Sequence, residues 1–254
     1  MDILLDLPTF VLVAALLIGL IAGFVKGVVG FAMPMILISG LGSVMAPELA
    51  LAALIVPTVV SNLWQALRQG LGAAWRSTAR HWRFLAVILV VIAISAQFVT
   101  FLSQRQLFLI IGVPVVLFAT IQLAGWSPKI AAGKERVYEF CAAFVAGAIG
   151  GLAGNWGPPT VLYLTALDTP KGDAMRVQGV VYGTGAIVLL LAHLRSGVLS
   201  AETAPLSLAM VVPTTLGLIL GFAVGDRIDQ KRFRRLTLIV LIVAGLNLIR
   251  RALM

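Results

Sequence analysis

Long apolar stretches follow one another along almost the whole chain of 254 residues. Only 11% of the residues are charged, against about 25% in a typical soluble domain. These stretches are too many for the single buried core of a soluble domain. They also lack the alternation of apolar and polar residues that is typical of the strands of a membrane β-barrel. The pattern therefore predicts an all-α polytopic membrane protein. The ten stretches are 9–25, 27–46, 48–67, 84–102, 106–125, 138–152, 154–170, 173–193, 204–225 and 233–253.

The formal net charge of +9 would suggest a nucleic-acid partner if the chain were soluble. Here the basic residues lie between the apolar stretches. In a membrane protein, residues at such places set the orientation and contact lipid headgroups. We therefore expect membrane lipids as partners of these residues, and no nucleic acid.

Two segments, 23–34 and 147–158, carry glycine and proline at the same spacing. This coincidence predicts an internal duplication, with residues 1–130 as the first transmembrane repeat and 131–254 as the second. In transporters, glycine- and proline-interrupted segments at matching places in two halves mark the substrate site. The matched pairs are Gly23 and Gly147, Gly27 and Gly151, Gly30 and Gly154, and Pro34 and Pro158.

Two loops rich in arginine and lysine, at about 68–83 and 227–235, come from non-equivalent places in the two halves. Cytoplasmic loops carry the excess of such residues. Both loops reach the cytoplasm if the repeats are inverted, which requires an odd number of crossings in each half. This scheme predicts about 8–10 membrane segments, with broken helices or re-entrant hairpins at the start of each half. Arg250 and Arg251 fall on the opposite side and count against it.

The two glycine- and proline-rich breaks are the predicted anion site. A helix that starts at Pro158 would leave the amide groups of residues 154–157 without partners in the helix, and Asn155 and Trp156 lie among them. Such amides carry partial positive charge and bind anions. In inverted repeats the two breaks would face one another near the membrane midplane. The alternative is that the glycines only permit close helix packing.

Lys26 lies between the first two apolar stretches, directly before Gly27. A lysine at the bilayer centre costs roughly 2.5–3.5 kcal/mol, so a lysine at that depth is a functional candidate. In the alternative, the first stretch ends at Val25 and the amine of Lys26 reaches the membrane interface. The sequence leaves both interpretations open.

A few polar residues lie inside later stretches. Asn62 and Gln65 share one face of the third stretch, and Gln178 and Tyr182 lie in its repeat equivalent, the eighth. These four side chains are candidates to line one central cavity. The alternative for each is a hydrogen bond between neighbouring helices.

Several kinds of chemistry lack their sequence patterns. No aspartate or glutamate lies in the middle of a stretch, and there is no paired-histidine, Gly-x-Ser-x-Gly or Walker motif. We therefore expect neither an enzyme nor a bound cofactor or metal. Proton coupling has no visible carboxylate carrier.

The first motif reads Gly-Phe-Val-Lys-Gly-Val-Val-Gly-Phe-Ala-Met-Pro, and the second Gly-Ala-Ile-Gly-Gly-Leu-Ala-Gly-Asn-Trp-Gly-Pro. They resemble the duplicated signature of the TauE/SafE sulfite exporter family. The segments 195–197 and 225–228 are similar to that family too, and the resemblance covers nearly the whole chain. It implies a multi-pass secondary transporter of the bacterial inner membrane that exports sulfite or organosulfonates. Where the family usually has three glycines before the first proline, this chain has Phe31, Ala32 and Met33.

Motifs and resemblance together predict a secondary transporter, an exporter of small anions, that works by alternating access around a central site at the repeat interface. The alternatives are a non-transporting accessory or scaffold protein and a passive anion channel. The anion, the coupling ion and the oligomeric state, with a homodimer as one option, stay open. The predicted substrate-binding residues are Lys26, Gly27, Gly30, Phe31, Pro34, Asn62, Gln65, Gly151, Gly154, Asn155, Trp156, Gly157, Pro158, Gln178 and Tyr182.

Overall fold

The computed structural model describes residues 7–95, 103–125, 134–153 and 157–253. Every regular element in these ranges is a helix, which confirms the predicted all-α class. The helices are α1 (Thr9–Val29), α2 (Met33–Leu41), α3 (Pro47–Leu67), α4 (Leu71–Arg80), α5 (Trp82–Ser95), α6 (Gln104–Leu123), α7 (Glu135–Ala153), α8 (Gly157–Ala166), α9 (Lys171–Ser196), α10 (Ala204–Arg227) and α11 (Gln230–Leu253).

Five of these helices are long and apolar enough to cross a membrane: α1, α3, α9, α10 and α11. The pair α4 and α5 adds a sixth candidate, although its two helices are bent by 73°. The described residues therefore carry five or six candidate spans, and the larger number of 8–10 stays a prediction. The basic segment at 68–83, predicted as a loop, contains the helix α4, because its small residues Ala73 and Ala74 pack into the protein.

The chain forms two compact units. The first contains Met1–Leu71 and Gln178–Asp229, and the second contains Gly72–Val177 and Gln230–Met254. Helix α9 begins in the second unit and continues in the first. The division into two sequence repeats stays a prediction.

In the first unit, α1 packs along α10 through glycines on both helices. A Cβ atom on Gly23 would lie 2.0 Å from the carbonyl oxygen of Thr214, and one on Gly217 would lie 2.0 Å from that of Leu20. Contacts this short exclude any side chain, so the two backbones lie against each other. Helices α2 and α3 pack with α1 and α10 around a buried apolar core that includes Leu37.

In the second unit, α6 packs on α11 and α7 packs on α5. A Cβ atom on Gly112 would lie 2.9 Å from the carbonyl oxygen of Gly245, so small residues again set the helix separation. The hydroxyl of Ser95 donates to the carbonyl oxygen of Gly147 at 3.1 Å. The rings of Phe84 and Tyr163 stack with their centroids 4.8 Å apart and so join α5 to α8.

The chain breaks between α1 and α2, within the first glycine- and proline-containing motif. Gly30 ends α1 with a φ of 89°, and its amide donates to the carbonyl oxygen of Lys26 at 2.7 Å. Ala32 follows with a φ of 73°, and α2 then begins at Met33 with Pro34 in its first turn. The left-handed conformation at Gly30 terminates α1, and proline is well suited to the first turn of α2.

Candidate functional site

Lys26 lies one turn before the end of α1, and its side chain is 1% exposed. Its Nζ donates a hydrogen bond to Oδ1 of Asn62 at 2.5 Å. Helix α1 runs without interruption to Val29, so the first apolar helix does not end at Val25. Protein therefore encloses the side chain of Lys26, and its depth in the membrane stays a prediction.

Helix α3 presents two amide side chains to the end of α1. Asn62 accepts from Lys26, and Nε2 of Gln65 donates to the carbonyl oxygen of Gly30 at 3.1 Å. Both amides are buried. Their three-residue spacing places them on one helical face, as predicted. One face of α3 therefore bonds both to the side chain of Lys26 and to the backbone of Gly30 at the end of α1.

Helix α9 adds an aromatic ring and a third amide. The Nζ atom of Lys26 lies 5.9 Å from the centroid of the Tyr182 ring, within the range of a cation–π contact. Gln178 lies one turn earlier on α9 and is buried. Its Oε1 atom has no hydrogen-bond partner among the described residues.

Two glycines let α9 approach α3 beside Lys26, Asn62 and Tyr182. A Cβ atom on Gly179 would lie 2.5 Å from the backbone nitrogen of Ala66, closer than real contacts allow. One turn later, a Cβ atom on Gly183 would lie 3.7 Å from Cβ of Asn62, an ordinary contact. The sequence analysis did not single out these glycines, although their four-residue spacing is a signal that could have identified them.

The other predicted residues of the first motif divide between the cluster and helix packing. Gly30 contacts the cluster through its carbonyl oxygen, and Phe31 is buried next to it in the chain. Pro34 is half-buried in the first turn of α2. Gly27 packs on α10, where a Cβ atom would lie 2.5 Å from the carbonyl oxygen of Leu218. The packing interpretation therefore accounts for Gly27.

In the second motif, Gly154, Asn155 and Trp156 lie outside the described residues. Gly151 lies in the last turn of α7. Helix α8 begins at Gly157. Its start therefore lies one residue before Pro158, where the sequence analysis predicted it.

An ion pair that the sequence analysis missed lies at the C-terminal end of α3, three residues after Gln65. Arg68 pairs with Asp226 at the end of α10, with one nitrogen 3.0 Å from Oδ1. The guanidinium also lies 4.3 Å from the centroid of the Phe222 ring. Opposite charges at the ends of two apolar stretches are the signal that could have predicted this pair.

The cluster combines one ammonium group with neutral amides and a phenol. No aspartate or glutamate is found among the buried side chains of the described residues. A buried charge requires compensation, and Asn62 supplies a dipole but no opposite charge. The arrangement therefore suits a small anion. In the same part of the chain, no three His, Cys, Asp or Glu residues form a group that could hold a metal ion.

Comparison with known families identifies the chain. The family model described as "Sulfite exporter TauE/SafE" matches residues 15–248, which is most of the sequence. Searches of curated proteins and of solved structures found no match. Members of this family are transporters of sulfur-containing anions and not enzymes. The chain belongs to the TauE/SafE sulfite exporter family and is a multi-pass membrane transporter.

Proposed function

We propose that the protein is a secondary transporter that exports sulfite or small organosulfonates across a bacterial inner membrane. The cargo class follows from the family, and the Lys26 cluster (Lys26, Asn62, Gln65, Gln178 and Tyr182) is the proposed binding site. The observation that carries the proposal is the buried ammonium group of Lys26, bonded to a neutral amide. A sulfite or sulfonate anion would supply the missing negative charge.

The neighbouring groups fit the two ends of an organosulfonate. The anionic head would take the ammonium of Lys26 as its charged partner, and charge-assisted hydrogen bonds are about twice as strong as neutral ones. The unpartnered Oε1 of Gln178 can accept from an amino or hydroxyl group at the other end of the cargo. Tyr182, one turn along α9, places its ring beside the ammonium.

The break between α1 and α2 contributes the backbone part of the site. Amide groups at the start of a helix lack partners within the helix and attract anions. Gln65 fixes the end of α1 by its bond to Gly30. A matching role for residues 151–158 is supported by the duplicated motif. In this proposal two inverted halves with about 8–10 membrane segments would move by alternating access.

Flux into sealed proteoliposomes tests the proposal. The panel is sulfite, a two-carbon sulfonate, sulfate, acetate and a dicarboxylate. We expect saturable flux of sulfite or the sulfonate that is lost in Lys26→Met and kept in the control Lys134→Met, since Lys134 is exposed. Asn155→Ala and Gly154→Leu test the second break separately. Flux without saturation would indicate a channel, and no flux from folded protein would indicate an accessory protein.

A further inference from the structure

A second polar site lies in the other unit of the protein. A cavity of about 450 Å³ opens between α4 and the start of α9. Arg76 and Arg80 line it from α4, and Thr169, Asp173 and Arg176 line it from the opposite side. It shares no lining residue with the Lys26 cluster, and the proposed transport step does not use it.

The charges around this cavity do not cancel. Arg176 pairs with Asp173 and donates from Nε to the hydroxyl of Ser77 at 2.6 Å, so this wall is held in place. Arg76 and Arg80 lie one turn apart on the same face of α4, and both are exposed. Neither has an ion-pair partner within the described ranges. The cavity is therefore left with two uncompensated guanidinium groups.

The exposed side chains near the cavity are of the types found at a membrane–water interface. Helix α4 buries the small residues Ala73 and Ala74, while Trp75 on the same helix is 72% exposed. Leu71 and Trp82, at the start of α4 and of α5, are also exposed. Tryptophan is enriched where a protein surface meets lipid headgroups, and amphipathic basic helices lie in that plane.

These observations point to a phosphate group as the ligand. Two neighbouring guanidinium groups can bind phosphate oxygens in parallel pairs, a geometry that lysine does not reproduce. Basic pockets beside membrane helices on the cytoplasmic side accept anionic headgroups. The segment at 68–83, which contains Arg76 and Arg80, is the one that its charge assigns to the cytoplasmic side.

We propose that the cavity between α4 and the start of α9 is a phosphate-binding site, occupied in the membrane by the headgroup of an anionic lipid. The exposed Trp75 and Trp82 would contact the acyl chains and interfacial region of that lipid. The chemistry recognised is a phosphate group, so free phosphate is the other source to test.

Native mass spectrometry of the delipidated full chain tests this proposal. Phosphatidylglycerol is titrated into wild type, the double variant Arg76→Gln/Arg80→Gln, and the control Arg105→Gln/Arg195→Gln, whose arginines are also exposed. A basic residue near an anionic lipid surface contributes about fivefold in affinity, so we expect about 30-fold weaker binding for the first pair. The control should bind like wild type. Circular dichroism checks that each variant is folded.

Two further arms separate charge from structure and lipid from free phosphate. Arg76→Lys/Arg80→Lys keeps the charge but not the paired-donor geometry, so it should recover only part of the affinity. Inorganic phosphate added in millimolar excess should not displace the lipid if the headgroup is the ligand. Displacement that depends on the same two arginines would support the phosphate site and assign it to free phosphate. Equal lipid binding by wild type and Arg76→Gln/Arg80→Gln, or equal loss in the control, would overturn the proposal.

Discussion

The ammonium nitrogen of Lys26 lies 2.5 Å from the amide oxygen of Asn62, and both side chains are almost completely buried. The bond joins the end of α1 to the C-terminal part of α3. A neutral amide stabilises the ammonium without cancelling its charge. When Lys26 is protonated, this pair therefore holds a positive charge inside the protein that a transported anion can neutralise.

The Lys26–Asn62 pair predicts an uneven response to single substitutions. Asn62→Leu leaves the buried charge without its hydrogen-bond partner and should cost about 3–5 kcal/mol of stability. Lys26→Met removes the charge itself, so it should cost less, on the order of 1–2 kcal/mol for the amide left behind. Thermal unfolding in detergent measures both.

The double variant Lys26→Met/Asn62→Leu supplies the control for this pair. It removes both the buried ammonium group and the buried amide that would otherwise lack a partner. The double variant should therefore have a higher melting temperature than Asn62→Leu alone. Costs that simply add in the double variant would contradict a direct interaction between the two side chains.

The contact between α9 and α3 predicts different effects for two glycines one turn apart. Gly179→Ala places a methyl group against the backbone of Ala66 and should cost about 1–3 kcal/mol, with loss of flux. Gly183→Ala makes only ordinary contact with Asn62 and should be tolerated. Melting temperature and sulfite flux are compared for the two variants, and equal damage in both would argue against the close approach at Gly179.

The backbone between α1 and α2 predicts a further pair of outcomes. Ala32 has a φ of 73°, in the region where a β-branched residue is strongly disfavoured. Ala32→Val should therefore lower stability by at least about 1–2 kcal/mol, whereas Ala32→Gly should change it by less than about 1 kcal/mol. The melting temperatures of the two variants test this prediction. An Ala32→Val variant as stable as wild type would contradict the left-handed backbone conformation at residue 32.

Gln178 predicts a change in cargo preference. If its Oε1 accepts a hydrogen bond from the cargo, wild type should prefer a two-carbon sulfonate with an amino or hydroxyl group over plain ethanesulfonate. Gln178→Leu should lose this preference while still transporting sulfite. Competition of the two sulfonates against labelled sulfite measures it, and an unchanged preference in the variant would remove Gln178 from the site.

Helical spacing explains what the sequence could predict of the site. Asn62 and Gln65 share a face because they are three residues apart, and Gln178 and Tyr182 because they are four apart. The structure places Asn62 and Tyr182 beside Lys26, whereas Gln65 bonds to Gly30 and Gln178 lies one turn from Tyr182 on α9. The sequence could not decide the burial of Lys26, because a single lysine fits either the end of an apolar helix or its interior.

The roles of Gly27 and of the segment at 68–83 depend on contacts distant in sequence. Gly27 packs against Gly221 of α10, and no local pattern pairs these two residues. Helix α4 lies in a basic segment predicted as a loop from its charge, and it packs Ala73 and Ala74 into the protein. Tertiary packing decides the role of Gly27.

Saturable sulfite flux into sealed proteoliposomes, compared between wild type and Lys26→Met, tests the role of the buried ammonium most directly. Loss of one charge-assisted hydrogen bond should lower kcat/KM at least about tenfold, while Lys134→Met behaves like wild type. Wild-type kcat/KM for sulfite in folded Lys26→Met protein would contradict a binding site at Lys26.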